Sequence, residues 1–292
     1  MTTRGWATLA LVAGAFAACA TGGDGPRAAG AGAVPITIHR PAGPGPFPAV
    51  VLMHDCSGLG PRSSGAPRRW TDELVRRGHV VLVPDSFGPR GFPDGVCTVA
   101  RAGGVDVSHE RRAGDAHAAL AQARALPDVD GRRVGIMGGS HGGTTTLLAM
   151  LPGDGRSTPG FAAAVALYPR CLGRDGRLLG DAGGVYRPVA PVLILIGDKD
   201  DWTPAEPCRR LAERARQAGQ PVAIKIYPGA HHSFDSPHPE RYVATRVNPS
   251  APGGRGATTG GHPEAWADSI VEVAAFFGRH LGVVPSPVQE KR

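Results

Sequence analysis

The chain carries three groups that together could transfer an acyl group. Ser140 stands in RVGIMGGSHGG, residues 133–143, where an apolar run leads into a serine set among Gly138, Gly139, Gly142 and Gly143. A serine hydroxyl is inert at neutral pH unless a neighbouring base takes its proton. Two later segments hold groups that could supply and orient that base. LILIGDKDDWTP, residues 193–204, offers Asp198, Asp200 and Asp201, and YPGAHHSF, residues 227–234, offers His231 and His232. In such a set the serine attacks an acyl carbon, the histidine accepts its proton and returns it to the leaving group, and the carboxylate fixes the imidazole. The motif alone proves little. With 43 glycines in 292 residues, a chance G-x-S-x-G is expected in roughly one such chain in three.

Context decides, because a nucleophile of this type sits on a sharp turn between a strand and a helix. RVGIMGG reads as the strand and TTTLLAML as the helix. Further apolar runs, typical of strands covered on both faces, are AVVLMHD, HVVLVPD, FAAAVALYP, APVLILIGD and VAIKIYPG, after an alternating PITIHRP. Helical patterns lie between them in RRWTDELVRRG, SHERRAGDAHAALAQARAL and AEPCRRLAERARQAG, and PEAWADSIVEVAAFFGRHL closes the series. This alternation predicts one α/β domain over residues 34–283, with a mostly parallel central sheet and helices on both faces. Right-handed crossovers then bring the strand C-termini to one edge, where ligands bind. His54 to Gly58, Asp85, Ser140, Tyr168 to Cys171, Asp198 to Asp201 and His231-His232 all fall there. NPSAPGGRGATTGG, residues 248–261, reads as a mobile low-complexity loop, and residues 284–292 as a disordered tail.

Bulk properties exclude some functions. The net charge is +7, but lysine occurs only at 199, 225 and 291 and the arginines stand singly or in pairs. Nucleic-acid binders cluster their charge, so no such partner is expected. MTTRGWATLALVAGAFAACA has one early positive charge, an apolar run and small residues around Cys19. Residues 1–19 therefore read as an export signal. Phe16-Ala17-Ala18-Cys19 resembles a lipoprotein cleavage box, making Cys19 a candidate for lipidation and membrane attachment; ordinary cleavage after Ala17 or Ala20 is the alternative. Residues 20–33 read as a flexible tether. The protein is thus expected in the periplasm, secreted, or lipid-anchored to the cell envelope.

Cys56, Cys97, Cys171 and Cys208 form an even set, and none has the spacing of a zinc site. Two disulfides are expected, with unpaired buried thiols the alternative. Cys171 and Cys208 follow neighbouring strands at the active edge, as do Cys56 and Cys97, so the predicted bonds are Cys56–Cys97 and Cys171–Cys208. No metal or cofactor is expected.

HDCSGL, VPDSFGPRG, GGSHGG, GDKDDWTP and HHSF, in that order, make the chain resemble the α/β-hydrolase superfamily and, within it, the dienelactone hydrolase family. The resemblance spans about residues 34–283 and implies an α/β-hydrolase fold. It places the acid in G-x-x-D-x-x-x-P, which selects Asp200, and the histidine directly before Ser-Phe, which selects His232. It also implies an oxyanion hole from the backbone N–H groups of Cys56 and His141. Asp55, Arg90, Tyr168 and Trp202 are the candidate pocket residues. Two departures matter: family members known best use a cysteine nucleophile, and Ser236 stands where a substrate-binding arginine would follow the histidine. The expected function is hydrolysis of a small-molecule ester or lactone by a serine esterase. The alternatives are a peptidase or polyester hydrolase on the same three residues, or a non-catalytic envelope protein that kept the fold. The oligomeric state is not legible.

Overall fold

A computed structural model describes residues 1–2, 34–99, 102–153 and 160–282. Contacts divide the chain into Met1–Gly32 and Ala33–Arg292, and every element below belongs to the second unit. The expected export signal beyond its first two residues, Cys19, the expected tether and the expected tail lie outside the described residues.

Seven strands form the main sheet: β1 (Ile36–His39), β2 (Phe47–Met53), β3 (Val80–Pro84), β4 (Val129–Gly139), β5 (Ala164–Leu167), β6 (Val192–Gly197) and β7 (Val222–Tyr227). Their order is β1-β3-β2-β4-β5-β6-β7. Only β1 runs antiparallel to its neighbour; the remaining pairs are parallel. The central strands are wholly buried because helices cover both faces, which is why their sequences are continuous apolar runs.

The helices are α1 (Ala66–Arg76), α2 (His109–Ala125), α3 (His141–Ala149), α4 (Ala205–Gln217) and α5 (Pro263–Leu281). α1 meets α5 through Trp70 and Trp266, ring centroids 4.8 Å apart and nearly perpendicular. Phe277 and Leu281 of α5 lie so close to Gly135 of β4 that a Cβ there would sit 3.0 Å from each. α2 packs on α3. Among the described residues no helix is long and apolar enough to cross a membrane.

One expectation is corrected. Residues 248–261 are not loop throughout: β8 (Arg241–Val247) and β9 (Arg255–Thr259) pair as an antiparallel hairpin, with residues 248–254 as its connection. Asn248 holds its turn, its Nδ2 donating to the carbonyls of Gly256 at 2.7 Å and Asp201 at 3.0 Å. A buried amide with both donors satisfied orders the backbone that a Gly- and Ser-rich composition alone leaves free.

Candidate active site

β4 delivers Ser140 at its C-terminal end and α3 starts at the next residue. The turn puts Ser140 at φ 55°, ψ −119°, a strained conformation for a residue with a side chain. Its neighbours must be small. A Cβ on Gly142 would lie 2.1 Å from the carbonyl oxygen of Met53, and one on Gly138 would lie 2.5 Å from the Gly142 backbone. Those glycines let the turn press against β2, which brings Ser140 beside the loop that carries Cys56.

His232 lies in the loop after β7 and Asp200 in the loop after β6. His232 Nε2 is 2.9 Å from Ser140 Oγ, and His232 Nδ1 is 2.8 Å from Asp200 Oδ2. A carboxylate only accepts, so the proton between them sits on Nδ1; Nε2 is left with a lone pair facing the serine hydroxyl. Asp200 Oδ1 accepts from the amides of Thr203 at 2.8 Å and Trp202 at 3.0 Å. Thr203, which the sequence reading did not single out, has its hydroxyl oxygen 2.9 Å from Asp200 Oδ2, 3.0 Å from His232 Nδ1 and 3.0 Å from the Tyr168 carbonyl. Its one sequence signal is its place directly before Pro204.

The rejected neighbours have other work. Asp198 accepts from the Gly229 amide at 2.7 Å, and Asp201 holds Thr258 of the hairpin through its amide at 2.8 Å and hydroxyl at 2.9 Å. His231 points to Glu240, 3.8 Å away.

Ser140, Cys56, Cys97 and Trp202 stand where two cavities meet. The larger, of about 660 Å³, is also lined by Val96, Val107, His109, His141, Arg170 and Val247. The smaller, of about 260 Å³, takes in His232, Asp55, Asp235, Arg69 and Arg246. Trp202 lies beside His232, ring centroids 4.7 Å apart, under the guanidinium of Arg246 at 5.3 Å. Asp55 faces the smaller cavity and fastens its own loop, its carboxylate accepting from the Ser57 amide at 2.6 Å and from the hydroxyls of Ser57 and Ser64.

Two pocket expectations are corrected. Arg90 lines neither cavity; it is committed to Asp115 by two bonds of 2.6 and 2.7 Å and to the Ser86 carbonyl at 2.6 Å. Tyr168 is wholly buried behind the site, its hydroxyl donating to Asp235 Oδ1 at 2.9 Å and its ring packed edge-on to His232 at 4.8 Å. A phenol so bonded backs the imidazole and presents no polar tip to the cavities.

Both expected disulfides are present. Cys56–Cys97 ties the loop after β2 to residues that precede α2, and Cys171–Cys208 ties the loop after β5 to α4.

His54, His109 and His141 are held neutral. Burial, then the charge of Arg112, keeps His54 well below the usual imidazole range. Burial, then the neighbouring His109 and Arg112, does the same to His141. His109 is pushed down to about 3 by burial and then by Arg112.

Comparison with known proteins agrees with this architecture. The chain matches the family model of the dienelactone hydrolase family over residues 34–281. A Methylorubrum extorquens protein assigned as a carboxymethylenebutenolidase is 29% identical over 225 residues, covering 73% of this chain and 72% of that protein. Esterase 2 of Thermogutta terrifontis, solved after phosphorylation by paraoxon, superposes with a TM-score of 0.59 at 18% identity, over 86% of this chain and 90% of its own. A Klebsiella pneumoniae protein assigned as a dienelactone hydrolase gives 0.58 at 20% identity, over 84% and 99%.

Proposed function

The chain belongs to the dienelactone hydrolase family and is a carboxylic ester hydrolase, and from that premise we propose that it cleaves its ester or lactone through an acyl-enzyme on Ser140. The observation that carries this reading is the line Asp200–His232–Ser140, joined at 2.8 and 2.9 Å. His232 Nε2 takes the hydroxyl proton as Oγ attacks the acyl carbon, and Asp200 steadies the imidazolium that forms. The developing oxyanion is met by the amides of Cys56 and His141, whose residues flank Ser140 in the larger cavity. His232 then passes its proton to the leaving oxygen, and water, activated the same way, releases the acid.

The general acid must reach the leaving oxygen, so the leaving group lies on the side of His232. His232 lines the smaller cavity. The alcohol part therefore enters there, and the acyl part occupies the larger cavity. The commitment of Arg90 to Asp115 and the serine at position 236 leave no arginine at either place where the family resemblance would put a partner for a dienelactone carboxylate. Both points favour an ordinary ester or another lactone. Two disulfides favour an oxidising compartment, in keeping with export by residues 1–19 and attachment through Cys19.

A fluorophosphonate probe tests the central claim. Wild-type protein is expected to take up one equivalent at Ser140, and Ser140→Ala none. Labelling elsewhere, or none in the wild type while the fold is intact, would reject the acyl-enzyme and favour a scaffold that only binds.

A further inference from the structure

Arg112 of α2 is among the largest fully buried side chains of the described residues, and the reaction set out above leaves it unused. A buried guanidinium is costly unless its N–H groups are satisfied. The nearby carboxylate of Asp115 is already held in a two-pronged bond by Arg90. Arg112 spends one N–H of each Nη on two other segments, while its Nε has no hydrogen-bond partner among the described residues. Nη2 donates to the carbonyl of His54 at 2.6 Å, and Nη1 lies 2.7 Å from Nδ1 of His141. The guanidinium lies over the Phe87 ring, 4.6 Å from its centroid, and that ring meets His54 and His141 edge-on at 4.7 and 5.4 Å.

These two contacts fall on the two halves of the oxyanion site. His54 precedes Cys56 by two residues in a loop pinned at both ring nitrogens: Nδ1 donates to the Asp55 carbonyl at 2.8 Å, and Nε2 accepts from the Ser86 amide at 3.1 Å. His141 itself bears the second amide, and its ring stacks on His109 with centroids 3.9 Å apart. An arginine N–H has a partner at Nδ1 only when that nitrogen keeps its lone pair, which agrees with the neutral state of His141. Burial lowers the pKa of Arg112 to about 9, so it remains a cation at neutral pH.

We propose that Arg112 is a positioning residue, whose planar fork fixes the loop of Cys56 and the ring of His141 against each other and thereby sets the spacing of the two oxyanion amides. The proposal rests on the oxyanion assignment of the preceding section. A guanidinium presents two parallel donors in one rigid plane, whereas an ammonium is a single point, so lysine can hold one side of the site and not both. Amides that stabilise an oxyanion must lie within about 3 Å of it, and small displacements are costly.

The test uses Arg112→Met and Arg112→Lys in the full chain, with rates normalised to Ser140 sites labelled by fluorophosphonate. Arg112→Met is expected to lower kcat per labelled site by about tenfold to a hundredfold with KM within about twofold of wild type. Arg112→Lys is expected to recover part of the loss. The Ki of a trifluoromethyl ketone, which forms a hemiketal oxyanion on the serine, should rise by the same factor as kcat/KM falls, while the Ki of the matching methyl ketone stays put. A merely structural arginine would lower the melting temperature and the labelled fraction, and leave both the rate per labelled site and the ketone ratio unchanged; that result overturns the proposal. If Arg112→Met fails to fold, the same comparison on Arg112→Lys decides, and wild-type kcat in that variant rejects the fork. Failure of the wild type to label at Ser140 would instead reject the underlying reading of the site, and the role of Arg112 with it.

Discussion

At the scale of single residues, two loops each offer near-equivalent choices, and burial and geometry separate them. His232 is 1% exposed and touches both Ser140 and Asp200, whereas His231 faces Glu240. Ser140→Ala, Asp200→Asn and His232→Gln are each expected to lower ester turnover by roughly 10⁴-fold or more with the fold retained. His231→Gln and Asp198→Asn should stay within about tenfold of wild type; initial rates on a p-nitrophenyl ester, with circular dichroism as the fold control, check this ranking. The cavities give a second expectation. Methyl esters of bulky acids should be cleaved with higher kcat/KM than acetate esters of alcohols of the same bulk, because the proposed acyl side opens on about 660 Å³ and the proposed alcohol side on about 260 Å³. The reverse preference would exchange the two sides. Ser140 and the acid and histidine motifs were legible because their chemistry requires fixed residue types at local spacings. Arg90 and Arg112 were not: what an arginine does depends on its partners, and Asp115, His54 and His141 are brought to them only by folding.

At the scale of elements, the continuous apolar runs announced β2 to β6 because strands covered on both faces have no polar side to show. The β8–β9 hairpin escaped for the opposite reason. Arg241–Val247 is largely exposed and Arg255–Thr259 only partly buried, so neither carries a core pattern, and the hairpin's order comes from hydrogen bonds to other loops. Those bonds tie it to the site. Trp202 Nε1 donates to the Val247 carbonyl at 2.9 Å, the Val247 amide donates to the Cys97 carbonyl at 3.0 Å, and the Gly260 amide donates to the His232 carbonyl at 3.0 Å. The hairpin thus braces the loops of the acid, the histidine and the Cys56–Cys97 disulfide together. Asn248→Ala leaves the buried carbonyl of Gly256 without this donor and removes the bond to the Asp201 carbonyl, and a loss of about 1–3 kcal/mol of local stability is expected. Hydrogen exchange should rise first in β8 and β9, with turnover falling several-fold as Trp202 loosens; unchanged exchange there would show that the turn is held by other contacts.

At the scale of the whole described unit, two disulfides closing loops of 41 and 37 residues each add about 4 kcal/mol in the chain-entropy model. The pairing was legible because the strand order sets which loops adjoin. Stability toward acid was not, because it depends on how completely the imidazoles are buried. His79 is 4% exposed; Nδ1 lies 3.3 Å from the Leu74 carbonyl, and Nε2 has no partner among the described residues. Protonation would put a charge on that unpartnered nitrogen, so burial brings its pKa down from the ordinary 6.5 to about 4. Between those values the unfolded chain binds the proton and the folded chain does not. Stability from this residue is therefore complete above about pH 6.5 and is lost as pH falls toward 4, on the order of 3 kcal/mol in total. Asp235, whose carboxyl burial raises, acts in the opposite sense, so the wild-type slope is a sum of such terms. The difference between wild type and His79→Phe isolates the histidine. Phenylalanine fits the apolar contact with Phe277, 6.1 Å between ring centroids, and cannot protonate. Urea midpoints measured from pH 7 to pH 4 should fall less steeply in His79→Phe, the two curves converging or crossing toward pH 4; parallel curves would mean that His79 titrates in the folded protein as it does in the unfolded chain.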